Sequence, residues 1–207
     1  MDELSEATGR LLAVAWRADP APAPAGWRAE PVLRDQGALD RAGLKGRTPP
    51  PLHALLWADA PSTEPVALPD ELAPAVERWA GFRFRSRPAW DDTGADVAPQ
   101  VKQVSFLRAR ADLEPGEFAR HFREHVAVAR VHHPAIVRYA QHDVVETAGD
   151  AGLDTQGISE LWFADEGSLV ARYYAGPDSV AVVRADNREY IDFRGTLALL
   201  VRPSDAP

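Results

Sequence analysis

The C-terminal half of the chain has the clearer pattern of hydrophobic and polar positions. Residues 114–131 repeat apolar side chains at helical spacing, from Pro115 and Glu117 at the start to Pro134 just beyond the end, and predict a helix. Residues 166–191 predict a second helix, broken at Gly176-Pro177. Four segments are rich in β-branched or aromatic residues and predict strands: 101–109, 135–146, 157–165 and 193–203.

The resulting order, β-α-β-β-α-β, is that of a ferredoxin-like unit, in which two helices cover one face of an antiparallel sheet. The N-terminal half repeats this order less completely. We expect strands at 10–17, 51–59 and 82–90, and helices at 26–43 and 68–81, although Pro31 and Gly37 interrupt the first of these helices. One internal strand is missing from this pattern, so the first unit is degenerate.

These patterns predict an α+β fold of two ferredoxin-like (βαββαβ) units, the first degenerate, with residues 1–92 and 101–207 joined by a linker at 93–100. Each sheet has one face that its own helices leave uncovered. Two such faces can bury each other in an α+β barrel, formed within the chain or across a dimer, so a homodimer is one of the two expected arrangements. Composition places proline-rich loops at 18–26, 47–51 and 59–65.

Composition excludes several functions. The chain has 207 residues, a net charge of −8 and no cysteine, so thiolate chemistry and disulfides are ruled out. No basic cluster favours nucleic acid, and no apolar run is long enough to span a bilayer. The first ten residues, MDELSEATGR, lack the apolar core of a signal peptide, and we expect a cytoplasmic protein.

Four of the six histidines lie in the stretch EFARHFREHVAVARVHHPAI, residues 117–136. At about 100° per residue, His125 falls in the middle of the apolar stripe and His121 falls at its edge. His125 is therefore either a satisfied core histidine or a residue placed to do chemistry. His132 and His133 are at the end of the helix, where they can cap free carbonyls.

A metal site is not expected. His121 and His125 have the i, i+4 spacing of metal-binding helices, but position 122 is Phe instead of the glutamate of an HExxH motif. We expect no cofactor.

The stretch FARHFREHVAVARVHHPAIVRYAQHDVVE, the later GISELWFAD and the closing RADNREYIDFRGTLALLV resemble the EthD-type domain of the dimeric α/β-barrel superfamily. His125 matches the helix histidine of that family, and Tyr139 matches its strand tyrosine. Asp192 lies in the YID that precedes the last strand. The chain departs from the family pattern at Val126-Ala127 and at Gln156. The resemblance covers residues 101–203.

The resemblance implies a hydrophobic pocket between helices and sheet, which would hold a hydrophobic small-molecule ligand. Relatives in the wider superfamily include polyketide cyclases, cofactor-free monooxygenases and lactone isomerases. We therefore expect a cofactor-independent acid–base enzyme with an aromatic or polyketide-like substrate, in which His125 is the base and Tyr139 donates to an oxyanion. Seven further residues are expected to contact the substrate: Phe106, Phe118, His121, Phe122, Gln141, Phe163 and Tyr173.

Two alternatives remain open from the sequence. The first is a non-catalytic barrel that binds a small molecule or serves only as a scaffold. The second, which is less favoured, is a haem-binding protein with a helix histidine as axial ligand. Fold analogy alone does not choose among them.

Overall fold

The computed structural model describes residues 7–42, 52–58, 65–94 and 98–204. They form a mixed α+β structure whose strands all belong to one antiparallel sheet. The strands are β1 Ala7–Trp16, β2 Arg28–Pro31, β3 Ala54–Ala58, β4 Val76–Asp91, β5 Val101–Leu107, β6 Ile136–Gly149, β7 Gly157–Phe163 and β8 Leu197–Val201. The helices are α1 Gly37–Arg41, α2 Glu117–His132, α3 Glu166–Arg172 and α4 Pro177–Arg188.

The strand order is β2-β3-β1-β4-β6-β7-β5-β8, which repeats one ferredoxin-like order in each half of the sheet. In the N-terminal half, β1 lies between β3 and β4, and β2 lies on the other side of β3. In the C-terminal half, β5 lies between β7 and β8, and β6 lies on the other side of β7. β4 pairs with β6 and joins the two halves. The eight strands therefore form the predicted barrel from two units of the same order.

The barrel nearly closes within one chain, because its two edge strands meet. Val32, just after β2, forms an antiparallel bridge with Val201 of β8. The Leu33 amide donates to the Leu200 carbonyl at 2.9 Å, and the Arg202 amide donates to the Pro31 carbonyl at 3.0 Å. Of the two arrangements predicted for the barrel, the structure shows the one within the chain. The unit boundaries at 92 and 101 stay a prediction.

The elements of the C-terminal half are those predicted, with ends that differ by a few residues. α2 follows Gly116, whose φ of 86° suits glycine, and the Glu117 side chain accepts the Glu114 amide at 3.0 Å. Asp165 caps α3 by accepting the Ser168 amide at 2.6 Å. α4 begins at Pro177, where the sequence predicts a break between two helical segments.

Both helices predicted in the N-terminal half are wrong for most of their length. The range 26–43 contains β2 and only the short helix α1, because residues 28–31 pair with β3. β2 is thus the strand that is missing from the sequence pattern. The range 68–81 contains turns closed by Leu72 N–H to Pro69 O and by Ala75 N–H to Leu72 O, followed by the start of β4. Pro74 has no amide hydrogen and prevents a continuous helix there.

Three apolar layers hold the fold together. The barrel interior is filled from both halves of the sheet, with Phe82 and Phe106 in contact at 5.4 Å between ring centroids. Outside the C-terminal strands, α2, α3 and α4 cover the sheet. Outside the N-terminal strands, loop residues such as Trp27 and Leu72 take the place of helices. Among the described residues, helices therefore cover the strands of the C-terminal half, where α1 also packs through Ala38 and Leu39.

A buried ionic cluster crosses the barrel interior. Lys102 of β5 is fully buried and bonds both Glu30 of β2 and Glu160 of β7. Glu30 also accepts the Trp57 indole N–H at 2.8 Å, and His142 contacts Glu160 at 2.7 Å. We call these five residues the interior cluster. His142 thus points into the barrel interior, whereas its neighbour Gln141 on β6 faces the helices.

Some expectations concern residues that the structure does not describe. The predicted loop at 47–51 lies outside the described residues, as does most of 59–65 and part of the linker, 95–97. Within the described part of the chain, no helix is long and apolar enough to cross a membrane.

Candidate functional site

A cavity of about 450 Å³ lies between α2, α4 and the outer face of the C-terminal strands. Its size is typical of small-molecule sites. Most of its wall is apolar or aromatic, and β5 and β7 add polar side chains such as Gln103 and Ser159. Alternation along these strands explains the arrangement, because Gln103 faces the helices while its neighbour Lys102 faces the barrel interior.

His125 lines this cavity from the middle of α2. It shares the buried stripe of that helix with Phe118, Phe122 and Ala129, as the helical phase predicts. Its Nδ1 lies 2.6 Å from Oδ2 of Asp186 on α4. A carboxylate partner at Nδ1 fixes the tautomer with the proton there and leaves Nε2 as the basic atom. Among the described residues Nε2 has no hydrogen-bond partner, and it is not sealed from solvent.

Tyr139 lines the cavity from β6, and Gln141 positions its hydroxyl. Gln141 Nε2 donates to Tyr139 Oη at 2.9 Å and to the Phe122 carbonyl. The Tyr139 oxygen is therefore an acceptor towards Gln141, and its hydrogen is free to be donated elsewhere. Burial raises the pKa of Tyr139 well above its usual value, so the phenol remains a neutral donor.

His133, the residue after α2, also lines the cavity, but it differs from His125 in its partner. Its Nδ1 donates to the Tyr173 carbonyl at 2.7 Å. Burial lowers the pKa of His133 to about 4, which the hydrogen bond to Tyr173 only partly offsets. The His133 ring is therefore neutral at physiological pH.

The structure brings four of the predicted site residues together at the cavity: Phe122, His125, Tyr139 and Tyr173. The other five have different surroundings. Gln141 donates to the Tyr139 hydroxyl without lining the cavity itself, and Phe118 packs on Phe122 and Tyr190 at the start of α2.

His121, Phe163 and Phe106 do not line the cavity either. His121 stacks on Tyr190 with ring centroids 6.0 Å apart, and Phe163 packs against Tyr173 on the helix side of the sheet. Phe106 lies on the opposite face of β5 and belongs to the barrel interior. Strand alternation separates Phe106 from the cavity residues Gln103 and Ser105.

Asp186 is a candidate site residue that the sequence pattern did not single out. It lies three residues after the buried Val183, and both follow the buried Ser179 at helical spacing. A carboxylate on the apolar stripe of a helix is unusual and was the available signal. Asp192, which the family pattern singled out, instead accepts the Arg194 amide at 2.9 Å in a turn.

The two histidines at the end of α2 do not cap that helix with their side chains, contrary to expectation. The ring of His133 bonds the carbonyl of Tyr173, and the Nδ1 of His132 contacts Ser179 Oγ at 2.9 Å. These bonds join α2 to the segment that contains α3 and α4. In the part of the chain that the structure describes, no three His, Asp or Glu side chains are grouped to hold a metal ion.

Comparison with solved structures identifies the type of fold. A crystal structure described as that of an anthrone oxidase-like protein superposes with a TM-score of 0.55 and covers 97% of this chain and 92% of its own. The sequence identity is 11%, so the likeness concerns the fold alone. The fold is an α+β barrel built from two ferredoxin-like strand orders. No family model matches the chain, and no curated protein matches it.

In this α+β barrel the cavity and the His125–Asp186 pair lie in the C-terminal ferredoxin-like unit. The tyrosines around the cavity resist ionisation, because burial raises the pKa of Tyr173 and of Tyr190 above the usual value. The site thus combines a histidine backed by a carboxylate with several neutral phenols, inside a largely apolar hollow.

Proposed function

We propose that this protein is a cofactor-independent acid–base enzyme that acts on a hydrophobic aromatic or polyketide-like molecule held in the α2–α4 cavity. One observation carries the proposal. His125 lines the cavity with its Nε2 unpaired among the described residues, while Asp186 holds its Nδ1 at 2.6 Å. A histidine with a carboxylate at Nδ1 and an unpaired Nε2 at a cavity is suited to accept a proton from a bound ligand.

The proposed step begins with removal of an acidic C–H proton next to a carbonyl or an aromatic ring. His125 Nε2 takes the proton, and Asp186 stabilises the resulting imidazolium through Nδ1–H. Negative charge then develops on the carbonyl oxygen of the ligand, where the Tyr139 hydroxyl can donate a hydrogen bond. Gln141 keeps that hydroxyl in place through its contact at 2.9 Å.

The resemblance to EthD-type domains supports the finer reading of a cyclase, isomerase or monooxygenase type. The anthrone oxidase-like neighbour makes anthrone a reasonable first substrate to test. The anthrone methylene group is acidic, and its carbanion is rich in electrons. Deprotonation by His125 followed by reaction with O₂ would convert anthrone and one O₂ into anthraquinone and one water.

The test measures two reactions of anthrone with the purified protein: exchange of the methylene hydrogen for deuterium without oxygen, and anthraquinone formation with oxygen. We expect the wild type to accelerate at least the exchange. His125→Gln should lose about 100-fold or more of this rate, because a general base contributes that much. His121→Gln is the matched control, since His121 is on the same helix outside the cavity lining, and it should keep the wild-type rate.

Two outcomes contradict the proposal. One is a His125→Gln variant that keeps the full rate. The other is a wild type that accelerates neither reaction for anthrone, for 1,8-dihydroxyanthrone or for a linear aromatic β-diketone. Tight binding of these compounds without any acceleration favours the non-catalytic barrel instead.

A further inference from the structure

Two arginines stand at the mouth of the cavity. Arg184 and Arg188 are one turn apart on α4, both are exposed, and both line the cavity. Neither guanidinium forms an ion pair or a hydrogen bond with any of the described residues. Several other arginines of known position pair with a carboxylate, for example Arg130 with Asp92. The two guanidinium groups are therefore available to a ligand.

The charge of the lining is opposite to that of the protein. The chain has a net charge of −8, yet none of its described aspartates or glutamates lines the cavity. The carboxylate of Asp186, which lies between the two arginines in the sequence of α4, is engaged by His125 at 2.6 Å. A hollow of low polarity with two cations at its entrance attracts anions and holds them more strongly than an open surface does.

The neighbouring groups at the entrance fit the same ligand. The Tyr190 hydroxyl donates to Asn187 Oδ1 at 3.1 Å, so the Asn187 amide presents N–H donors. Phe193 also lines the cavity and is 48% exposed, which is unusual for a phenylalanine. Hydrogen-bond donors therefore gather beside an aromatic side chain that can cover a flat ring.

We propose that the cavity takes an aromatic carboxylate: the ring system lies between α2 and the sheet, and the carboxylate pairs with Arg184 and Arg188. This deepens the proposed function, on which it rests for the use of the cavity as the substrate site. Guanidinium groups match carboxylates in geometry and can bind them through two hydrogen bonds. His125 and His133 are about 12 Å apart along α2, a length that accommodates two or three fused rings.

A purely structural role for the arginines makes a different prediction. Positive side chains near the C-terminus of a helix stabilise it through the helix dipole. In that case, replacing them lowers helix stability and weakens every ligand to a similar degree. If the arginines form a carboxylate site, replacing them instead removes the preference for a charged ligand and leaves the affinity for a neutral ligand unchanged.

The experiment compares two probes of nearly the same shape, 9-anthracenecarboxylate and 9-anthracenemethanol, by fluorescence titration of the full chain at low salt. We expect the wild type to bind the carboxylate about tenfold more tightly than the alcohol. Arg184→Gln and Arg188→Gln should each reduce this ratio, and the double variant should bring it close to one. Arg123→Gln removes the same charge from the outer face of α2 and should leave the ratio unchanged.

The inference is overturned if the wild type binds both probes equally, if it binds neither, or if the double variant weakens both probes in the same proportion. Its failure is distinguishable from that of the proposed catalysis. His125→Gln should keep the preference for the carboxylate, so a selective cavity without turnover contradicts only the enzyme proposal. Turnover of neutral anthrone without charge selectivity contradicts only the carboxylate site.

Discussion

At the scale of single residues, the two cavity histidines show how the partner of an imidazole sets its role. His125 bonds a carboxylate at Nδ1 and can hold a positive charge after it accepts a proton. His133 bonds only a backbone carbonyl, and burial lowers its pKa to about 4. One helix therefore presents one histidine suited to proton transfer and one that is held neutral.

The lowered pKa of His133 makes stability depend on pH. The unfolded chain protonates this ring near pH 6.5, whereas the folded protein resists protonation down to about pH 4. The contribution of His133 to the free energy of unfolding is thus fully present above pH 6.5. It is lost as the pH drops towards 4, by an amount of the order of 3 kcal/mol. His133→Asn keeps a donor near the Nδ1 position and should flatten this part of the pH profile. Urea unfolding at pH 7, 5.5 and 4.5 measures it.

His121→Asn is the control for that measurement, because His121 is partly exposed and contacts Arg120. Its profile should follow the wild type. Equal slopes for the wild type and His133→Asn between pH 6.5 and 4 would show that His133 is not the group responsible.

The sequence predicted the orientation of His125 but not its partner. Helical phase places His125 among Phe118, Phe122 and Ala129 without any knowledge of other elements. The partner, Asp186, lies 61 residues further along the chain, and only the packing of α4 on α2 brings it to 2.6 Å. Phe106 was misplaced for a similar reason. Its sequence position does not reveal which face of β5 the helices cover, and Phe106 lies on the other face, in the barrel interior.

At the scale of elements, the contact between α2 and β7 determines where the catalytic candidate lies. Gly157 begins β7 directly beneath the aromatic rings of α2. A Cβ atom at this position would lie 2.9 Å from ring carbons of both Phe118 and Phe122. The absence of a side chain at Gly157 therefore allows α2 to approach the sheet closely.

Gly157→Ala should destabilise the protein by about 1–3 kcal/mol, because the extra methyl group overpacks this contact. It should also reduce any turnover, since α2 and His125 must shift away from the sheet. Thermal unfolding together with the anthrone assay measures both effects. Gly94→Ala is the matched control, because a Cβ there meets nothing within 4 Å; an equal loss in both variants would contradict the explanation.

Local pattern was sufficient for the elements of the C-terminal half but not for those of the N-terminal half. In 68–81 the apolar residues have helix-like spacing, yet Pro69 and Pro74 and the pairing of β4 with β1 give turns and a strand. Short β2 could not be recognised, because four residues that include Pro31 carry almost no periodic signal. Sheet pairing decided these elements, and pairing is a long-range property.

At the scale of the whole molecule, the interior cluster ties the two halves of the barrel together. Lys102 and Glu160 come from the C-terminal half, and Glu30 and Trp57 come from the N-terminal half. Burial by itself would raise the pKa of Glu160, but the Lys102 charge and the His142 hydrogen bond outweigh it and lower the pKa to about 2. Glu160 therefore stabilises the fold above about pH 4.5, and this stabilisation is lost only as the pH falls towards 2.

Lys102→Met should destabilise the protein by about 3–5 kcal/mol, because it leaves two buried carboxylates without their cation. The triple variant Glu30→Gln, Lys102→Met, Glu160→Gln removes the charges together and should recover a large part of that loss. Chemical denaturation at pH 7 compares the three proteins. A triple variant as unstable as Lys102→Met would show that the cluster matters through its shape and not through its charge balance.

The prediction of a barrel made of two units was correct, whereas the sequence left open which edges would meet. In the structure, β2 and β8 of the same polypeptide meet and nearly close the barrel. That seam frees the protein from a constraint of symmetric assemblies, in which every substitution is repeated in both subunits. Here the two halves are separate parts of one sequence, so each can change without the other. Loops can therefore cover the N-terminal strands while helices and a cavity with two histidines cover the C-terminal strands.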